Sequence, residues 1–190
     1  MIDKFGLALL TMFGIGRIKY AAGTVASFFT CLIYYTFFYH YTYDPGYLPD
    51  GILFLWDNYI YLIFIYLILF IYSIILIDKL THHFKKKDPK EIVIDEFFGQ
   101  LIPILSITYW IWNVNPNNAN FVSRVWDNYE ILIFLSFILF RIFDILKPFP
   151  INIIDKKIKN GLGVMLDDVV AAIYASITFA VIKKIILLWL

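Results

Sequence analysis

Apolar residues along the chain gather in long runs separated by short polar segments. Residues 60–77 (IYLIFIYLILFIYSIILI) hold no charged side chain. A helix that crosses a bilayer needs about 20 mostly apolar residues, so this run predicts a spanning helix. Residues 21–39 form a second uncharged run, with Thr24 and Ser27 near its start. A third, 131–146, carries Arg141 and Asp144 in its last turns, and a fourth, 169–190, is broken by Lys183 and Lys184. A fifth, 97–112, is short and contains Pro103; its length also suits a re-entrant or interfacial helix. The pattern predicts an all-α fold, a polytopic membrane helical bundle of about four to five spans, forming a single membrane-embedded domain over residues 1–190. Gly14, Gly16, Arg17 and Lys19 interrupt the N-terminal apolar stretch, so no cleavable signal peptide is expected.

Composition supports the membrane reading. Hydrophobic residues make up 61% of the chain and charged residues 16%, against about 45–50% and about 25% in ordinary soluble domains. Lys and Arg total 16 against 15 Asp and Glu. That balance excludes a nucleic-acid binder working through bulk charge. Cys31 is the single cysteine, so an internal disulfide or multi-cysteine metal site is excluded; inside a span it reads as a small core residue. With five spans and a cytoplasmic N-terminus, 13 of the 16 cationic residues fall on the inner side, leaving Arg124, Lys183 and Lys184 outside. The positive-inside rule favours this orientation. The run Lys85-Lys86-Lys87 reads as an interface anchor, with His82 and His83 beside it as solvated interface residues.

In that topology three polar segments share the cytoplasmic face. The first, residues 13–27 (FGIGRIKYAAGTVAS), offers turn-permitting glycines and a hydroxyl-bearing helix start. Thr24 is a candidate N-cap, and free N–H groups at a helix start suit a phosphate. The second, residues 88–99 (DPKEIVIDEFFG), begins with a capping-box-like Asp88-Pro89-Lys90-Glu91. Asp95 and Glu96 have no such explanation. They enter the bilayer between Ile92-Val93-Ile94 and Phe97-Phe98, where a carboxylate is costly unless a cation or a Lys/Arg partner offsets it. The third, residues 140–172, places Arg141, Asp144 and Lys147 along one helix stripe. Pro148 and Pro150 end that helix. Asp155 and a glycine-bearing turn at 160–163 follow, and Asp167-Asp168 are expected to open the last span. A structural salt bridge within the Arg141–Lys147 stripe is one reading. Carboxylates from two helices holding Mg²⁺, with the cationic stripe holding a phosphate, is the other.

The sequence resembles the phosphatidylglycerophosphatase A family. The matching stretches are 13–27, 88–99 and 140–172. The third is the most specific, with F-R-x-x-D-x-x-K-P-x-P followed by G-x-G-x-M-x-D-D-x-x-A. The chain departs from the family at Ala22 and Ala26, where Pro and Gly are usual, and at Ala172, where Gly is usual. The resemblance implies a Mg²⁺-dependent phosphatase of the bacterial inner membrane with its active site facing the cytoplasm. Its substrate would be the anionic phospholipid phosphatidylglycerophosphate, and its products phosphatidylglycerol and inorganic phosphate. Asp95, Glu96, Asp167 and Asp168 are then expected metal ligands, with Asp144 a fifth carboxylate in the catalytic set. Arg141 and Lys147 are expected to neutralise phosphate oxygens, and Thr24, Ser27 and nearby N–H groups to complete the phosphate cradle. One carboxylate would serve as general base for water, or as a nucleophile.

Other chemistries find little support. The chain holds no P-loop, dinucleotide fingerprint or serine nucleophile elbow. The rival class is a non-catalytic membrane protein, a transporter subunit or assembly factor, since intramembrane carboxylates also mark ion pathways. Transporters tend to place such charges near the midplane within repeated halves. Here the charges gather on one face and no repeat is visible.

Overall fold

The computed structural model describes residues 2–43, 59–83, 90–112 and 129–189. The 85–87 lysine run, Asp88 and Arg124 lie outside the described residues. Among those described every regular element is helical: α1 (Ile2–Leu10), a 3-10 segment (Met12–Arg17), α2 (Ala22–Tyr43), α3 (Tyr59–Leu80) with a short 3-10 turn after it, α4 (Ile94–Trp112), α5 (Tyr129–Leu146), α6 (Ile151–Lys157) and α7 (Gly161–Trp189).

The longest helix, α7, is the centre of the bundle and packs against α3, α4, α5 and α6. Small residues let it do so. Ala171, Ala172 and Ala175 are fully buried against Leu132, Phe140 and Ile151, and close backbone approach through small residues is how helices associate in lipid. Ala26, the other site where the family usually has glycine, is also fully buried, so Ala26 and Ala172 keep the side chain small where space is least. Gly99 of α4 is tight as well. A Cβ there would lie 2.8 Å from the Phe140 ring and 3.0 Å from the Asp168 Cβ. A second cluster joins α1, α3 and the start of α4 through Leu10, Leu76, Ile77, Leu80, Val93 and Phe98. Cys31 sits in a third, beside Tyr34, Ile104 and Ile133, as a core residue.

The outward faces are apolar. On α3 Ile63, Phe64, Leu67, Ile68, Ile71 and Ile75 are exposed; on α5 Ile131, Phe134, Ile138 and Ile142; on α7 Ile173, Ile177 and Val181. Apolar surface this extensive is rare on a water-soluble monomer. Two described stretches, 61–80 and 161–185, are long and apolar enough to cross a membrane, and 22–37 is a shorter apolar helix. Helix α4 runs through Pro103 without a break over 19 residues.

Three helix starts differ from expectation. Helix α2 begins at Ala22, so Thr24 is already inside it. The chain around 90–91 is a turn and α4 begins only at Ile94, so the predicted capping box does not open a helix. The reason is non-local: the Val93 N–H donates to the Leu10 carbonyl at 3.0 Å, and Ile92 and Val93 are buried. Helix α7 begins at Gly161, two turns before Asp168. Its free N–H groups are met by Asn160 Oδ1, which accepts from Gly163 N at 3.1 Å, and by Asp78 Oδ1 of α3, which accepts from Gly161 N at 2.6 Å. A cap from another helix leaves no local pattern in the sequence.

Candidate active site

At one end of the bundle a cleft of about 910 Å³ opens between the 16–23 loop, the turn before α4, the end of α5, α6 and the start of α7. Asp95, Glu96 and Asp168 offer one carboxylate oxygen each, and the three lie within 4.8 Å of one another. The first two stand in the opening turn of α4 and the third in α7. Gly99 brings these helices together, as its contact with the Asp168 Cβ shows. Gly23 does the same for α2, because a Cβ there would strike the Glu96 carboxylate. Asp95 Oδ1, Glu96 Oε2 and Asp168 Oδ2 are buried and have no hydrogen-bond partner among the described residues. Buried polar atoms are seldom left unsatisfied. A hard divalent cation would satisfy this oxygen set, so the residues present fit Mg²⁺.

Cationic groups stand on two sides of the acids. Arg141 pairs with Asp144 at 2.6 Å, three residues on along α5. Its guanidinium also donates to Ser27 Oγ at 3.4 Å. Lys147, at the end of α5 with φ 41°, bridges Asp167 Oδ2 at 2.7 Å and Asp155 Oδ1 at 3.1 Å. Burial alone would lower the Lys147 pKa, but the hydrogen bonds and charges of Asp167 and Asp155 outweigh it, and the ammonium is held above its ordinary value. Asp167 in turn accepts from the Asp168 N–H at 3.1 Å.

The arrangement sorts the residues expected from sequence. Asp95, Glu96 and Asp168 converge. Asp144 and Asp167 line the same cleft but are engaged by Arg141 and Lys147, and Asp167 stands outside the converging group. Arg141 and Lys147 line the cleft. Thr24 and Ser27 do not. Ser27 is fully buried, donates to the Gly23 carbonyl at 3.0 Å and supports Arg141, so the part of α2 that meets the cleft is its start, Ala22 and Gly23. Asp155 had no role in the sequence reading; its one signal was a carboxylate within the third polar segment.

The family described as phosphatidylglycerophosphatase A matches residues 8–183. A Haemophilus influenzae protein named phosphatidylglycerophosphatase A is 40% identical over 114 residues, 60% of this chain and 59% of its own length. A Bacteroides thetaiotaomicron protein, provisionally named a phosphatidylinositol-3-phosphatase, is 36% identical over 100 residues, 53% of this chain and 52% of its own. An Escherichia coli phosphatidylglycerophosphatase A is 30% identical over 89 residues, 47% of this chain and 41% of its own. The matched stretches thus span about half the length of these curated relatives. No solved structure matches the chain.

Proposed function

The chain belongs to the phosphatidylglycerophosphatase A family, and from that premise we propose that it removes the terminal phosphate of phosphatidylglycerophosphate, yielding phosphatidylglycerol and inorganic phosphate. The observation that carries this reading is the convergence of Asp95, Glu96 and Asp168 in a polar cleft at one end of an apolar bundle. A lipid headgroup sits at the end of such a bundle, where its acyl chains can stay in the bilayer. The distribution of Lys and Arg along the chain supports a multi-pass protein of the bacterial inner membrane with the cleft facing the cytoplasm.

Asp95, Glu96 and Asp168 would hold Mg²⁺. When bound, Mg²⁺ supplies Lewis-acid polarisation of the phosphate monoester and charge neutralisation. The chain's own groups do the rest. Arg141, aimed by Asp144 and Ser27, presents its planar fork to non-bridging phosphate oxygens. A carboxylate of the cluster accepts a proton from the attacking water. The new P–O bond forms as the bond to the headgroup glycerol breaks, and the departing alkoxide takes up a proton. Lys147, committed to Asp155 and Asp167, fixes the acid beside Asp168 rather than reaching a phosphate. An aspartate nucleophile passing through an acyl-phosphate uses the same residues; a hydroxylamine-labile phosphoenzyme trapped by acid quench during turnover would mark it.

The test is phosphate release by purified protein in detergent from phosphatidylglycerophosphate, phosphatidylinositol 3-phosphate and phosphatidic acid. Each is assayed with chelator and again after Mg²⁺ is restored. Release from the first lipid, lost with chelator and regained with Mg²⁺, is expected. Release from none under any condition overturns the proposal and returns the chain to the non-catalytic class.

A further inference from the structure

The cleft is far larger than one phosphate, and charges of both signs line it beyond the converging acids and Arg141. Arg17 and Lys19 of the 16–23 loop and Lys90 of the turn before α4 line it too, with Glu91 next to Lys90. Two contacts fix these cations in place. Gly16 packs so closely on the Glu91 carbonyl that a Cβ would strike it, and Gly23 packs in the same way on Glu96. The loop is therefore clamped at both ends against the strand of chain that leads from Lys90 into the acidic cluster. Arg17, Lys19 and Lys90 are exposed, and none pairs with a carboxylate among the described residues. Three like charges along one cleft, with no ion pair among the described residues, suit a bound anion.

We propose that Arg17, Lys19 and Lys90 form a second anion subsite that holds a phosphodiester of the substrate headgroup while the terminal phosphomonoester lies at the acidic cluster. The inference rests on the function proposed above and deepens it. The favoured substrate carries two phosphates separated by a short polyol, one for each charged region of the cleft. A lipid with only a phosphomonoester leaves the cationic rim unmatched.

The test uses equilibrium binding, so it does not depend on turnover. Two non-hydrolysable phosphonate analogues are compared by titration calorimetry in neutral detergent with Mg²⁺ present: one of phosphatidylglycerophosphate, one of phosphatidic acid. The wild-type protein is expected to bind the first about tenfold more tightly, the scale of two partly exposed charge pairs. The Arg17→Gln/Lys90→Gln double variant should lose that preference and bind both analogues alike, while the charge-keeping Arg17→Lys/Lys90→Arg pair should restore it. Equal affinity of the wild type for the two analogues overturns the subsite, as does an equal weakening of both in the double variant, which would mark general surface attraction. If the binding preference holds but phosphatidylglycerophosphate itself is never hydrolysed, the subsite stands and the proposed reaction falls.

Discussion

One close contact between helices joins the packing of the bundle to its chemistry. Gly99 faces the Phe140 ring and the Asp168 Cβ, and an alanine Cβ there would sit 2.8–3.0 Å from them, against about 3.4 Å for ordinary contact. Gly99→Ala must therefore move α4 away from α5 and α7 by about 0.4–0.6 Å, the difference between those distances. Overpacking of this size costs about 1–3 kcal/mol. The same displacement separates Asp168 from Asp95 and Glu96, which lie on the two helices that part. A misplacement of about 1 Å costs about 100-fold in rate, so half of that costs about tenfold. The assay pairs thermal unfolding in detergent with phosphate release titrated against Mg²⁺. The expected result is a lower Tm, a roughly tenfold lower rate and a higher Mg²⁺ half-saturation point. Phe140→Leu added to Gly99→Ala relieves the crowding and should recover part of each loss, a coupling that distant sites would not show. A Gly99→Ala protein with wild-type Tm and Mg²⁺ dependence would refute the claim that this glycine sets the spacing of the acids.

Three further outcomes follow from the geometry. Asp95→Asn keeps the size of the side chain and removes a cluster charge; it should purify in normal yield and lose at least about 100-fold in phosphate release, and wild-type turnover would remove Asp95 from the site. Lys147→Met leaves Asp155 and Asp167 facing each other without their cation. For this half-buried bridge the loss is about 1–3 kcal/mol, between the exposed and fully buried cases. Because the Lys147 pKa is raised, its stabilising share is complete below the ordinary lysine value of about 10.4 and fades only as pH climbs above it. The Tm gap between Lys147→Met and wild type should therefore stay constant between about pH 6 and 9, and a gap that shrinks across that range would contradict the bridge. Asp78→Ala removes the remote cap on Gly161 and should lower stability by about 1 kcal/mol, read as a Tm shift, with catalysis retained.

The run at 60–77 and the apolar stretches at 21–39, 131–146 and 169–190 were legible as helices because membrane helices announce themselves by composition. So were Asp95 and Glu96, because adjacent acids at a bilayer entry need an explanation. What the sequence hid is long-range. The start of α4 is set by a hydrogen bond from Val93 to Leu10, and that of α7 by Asp78, 83 residues earlier. Local capping rules placed both starts wrongly. Ser27 read as a phosphate ligand because hydroxyls near a helix start often are; its burial behind Arg141 depends on how α2 crosses α5. Asp167 and Asp168 are adjacent in sequence, yet on a helix neighbours point about 100° apart. One therefore joins the acidic cluster and the other meets Lys147.

The charge arrangement of the cleft also orders the binding events. Asp95, Glu96, Asp144, Asp155, Asp167 and Asp168 present six carboxylates, and Arg141 and Lys147 are the cations paired among them. Asp95 and Glu96 are partly compensated by the N-terminus of α4, whose dipole favours negative charge within the first turn. Asp168, two turns into α7, is beyond reach of that effect. A phosphate approaching this side of the cleft without a divalent cation meets net negative charge. Removal of the cation should therefore abolish phosphate binding itself and not only turnover. Inhibition by orthophosphate cannot be read without activity, so the measurement is direct titration of orthophosphate into the protein, with chelator and then with Mg²⁺. In the Arg17→Gln/Lys90→Gln variant, which lacks two of the rim charges, heat of binding is expected only in the second case. Equal binding in both would mean that Arg141 and the remaining rim charge capture phosphate unaided, and that the converging acids serve some purpose other than holding a cation for it.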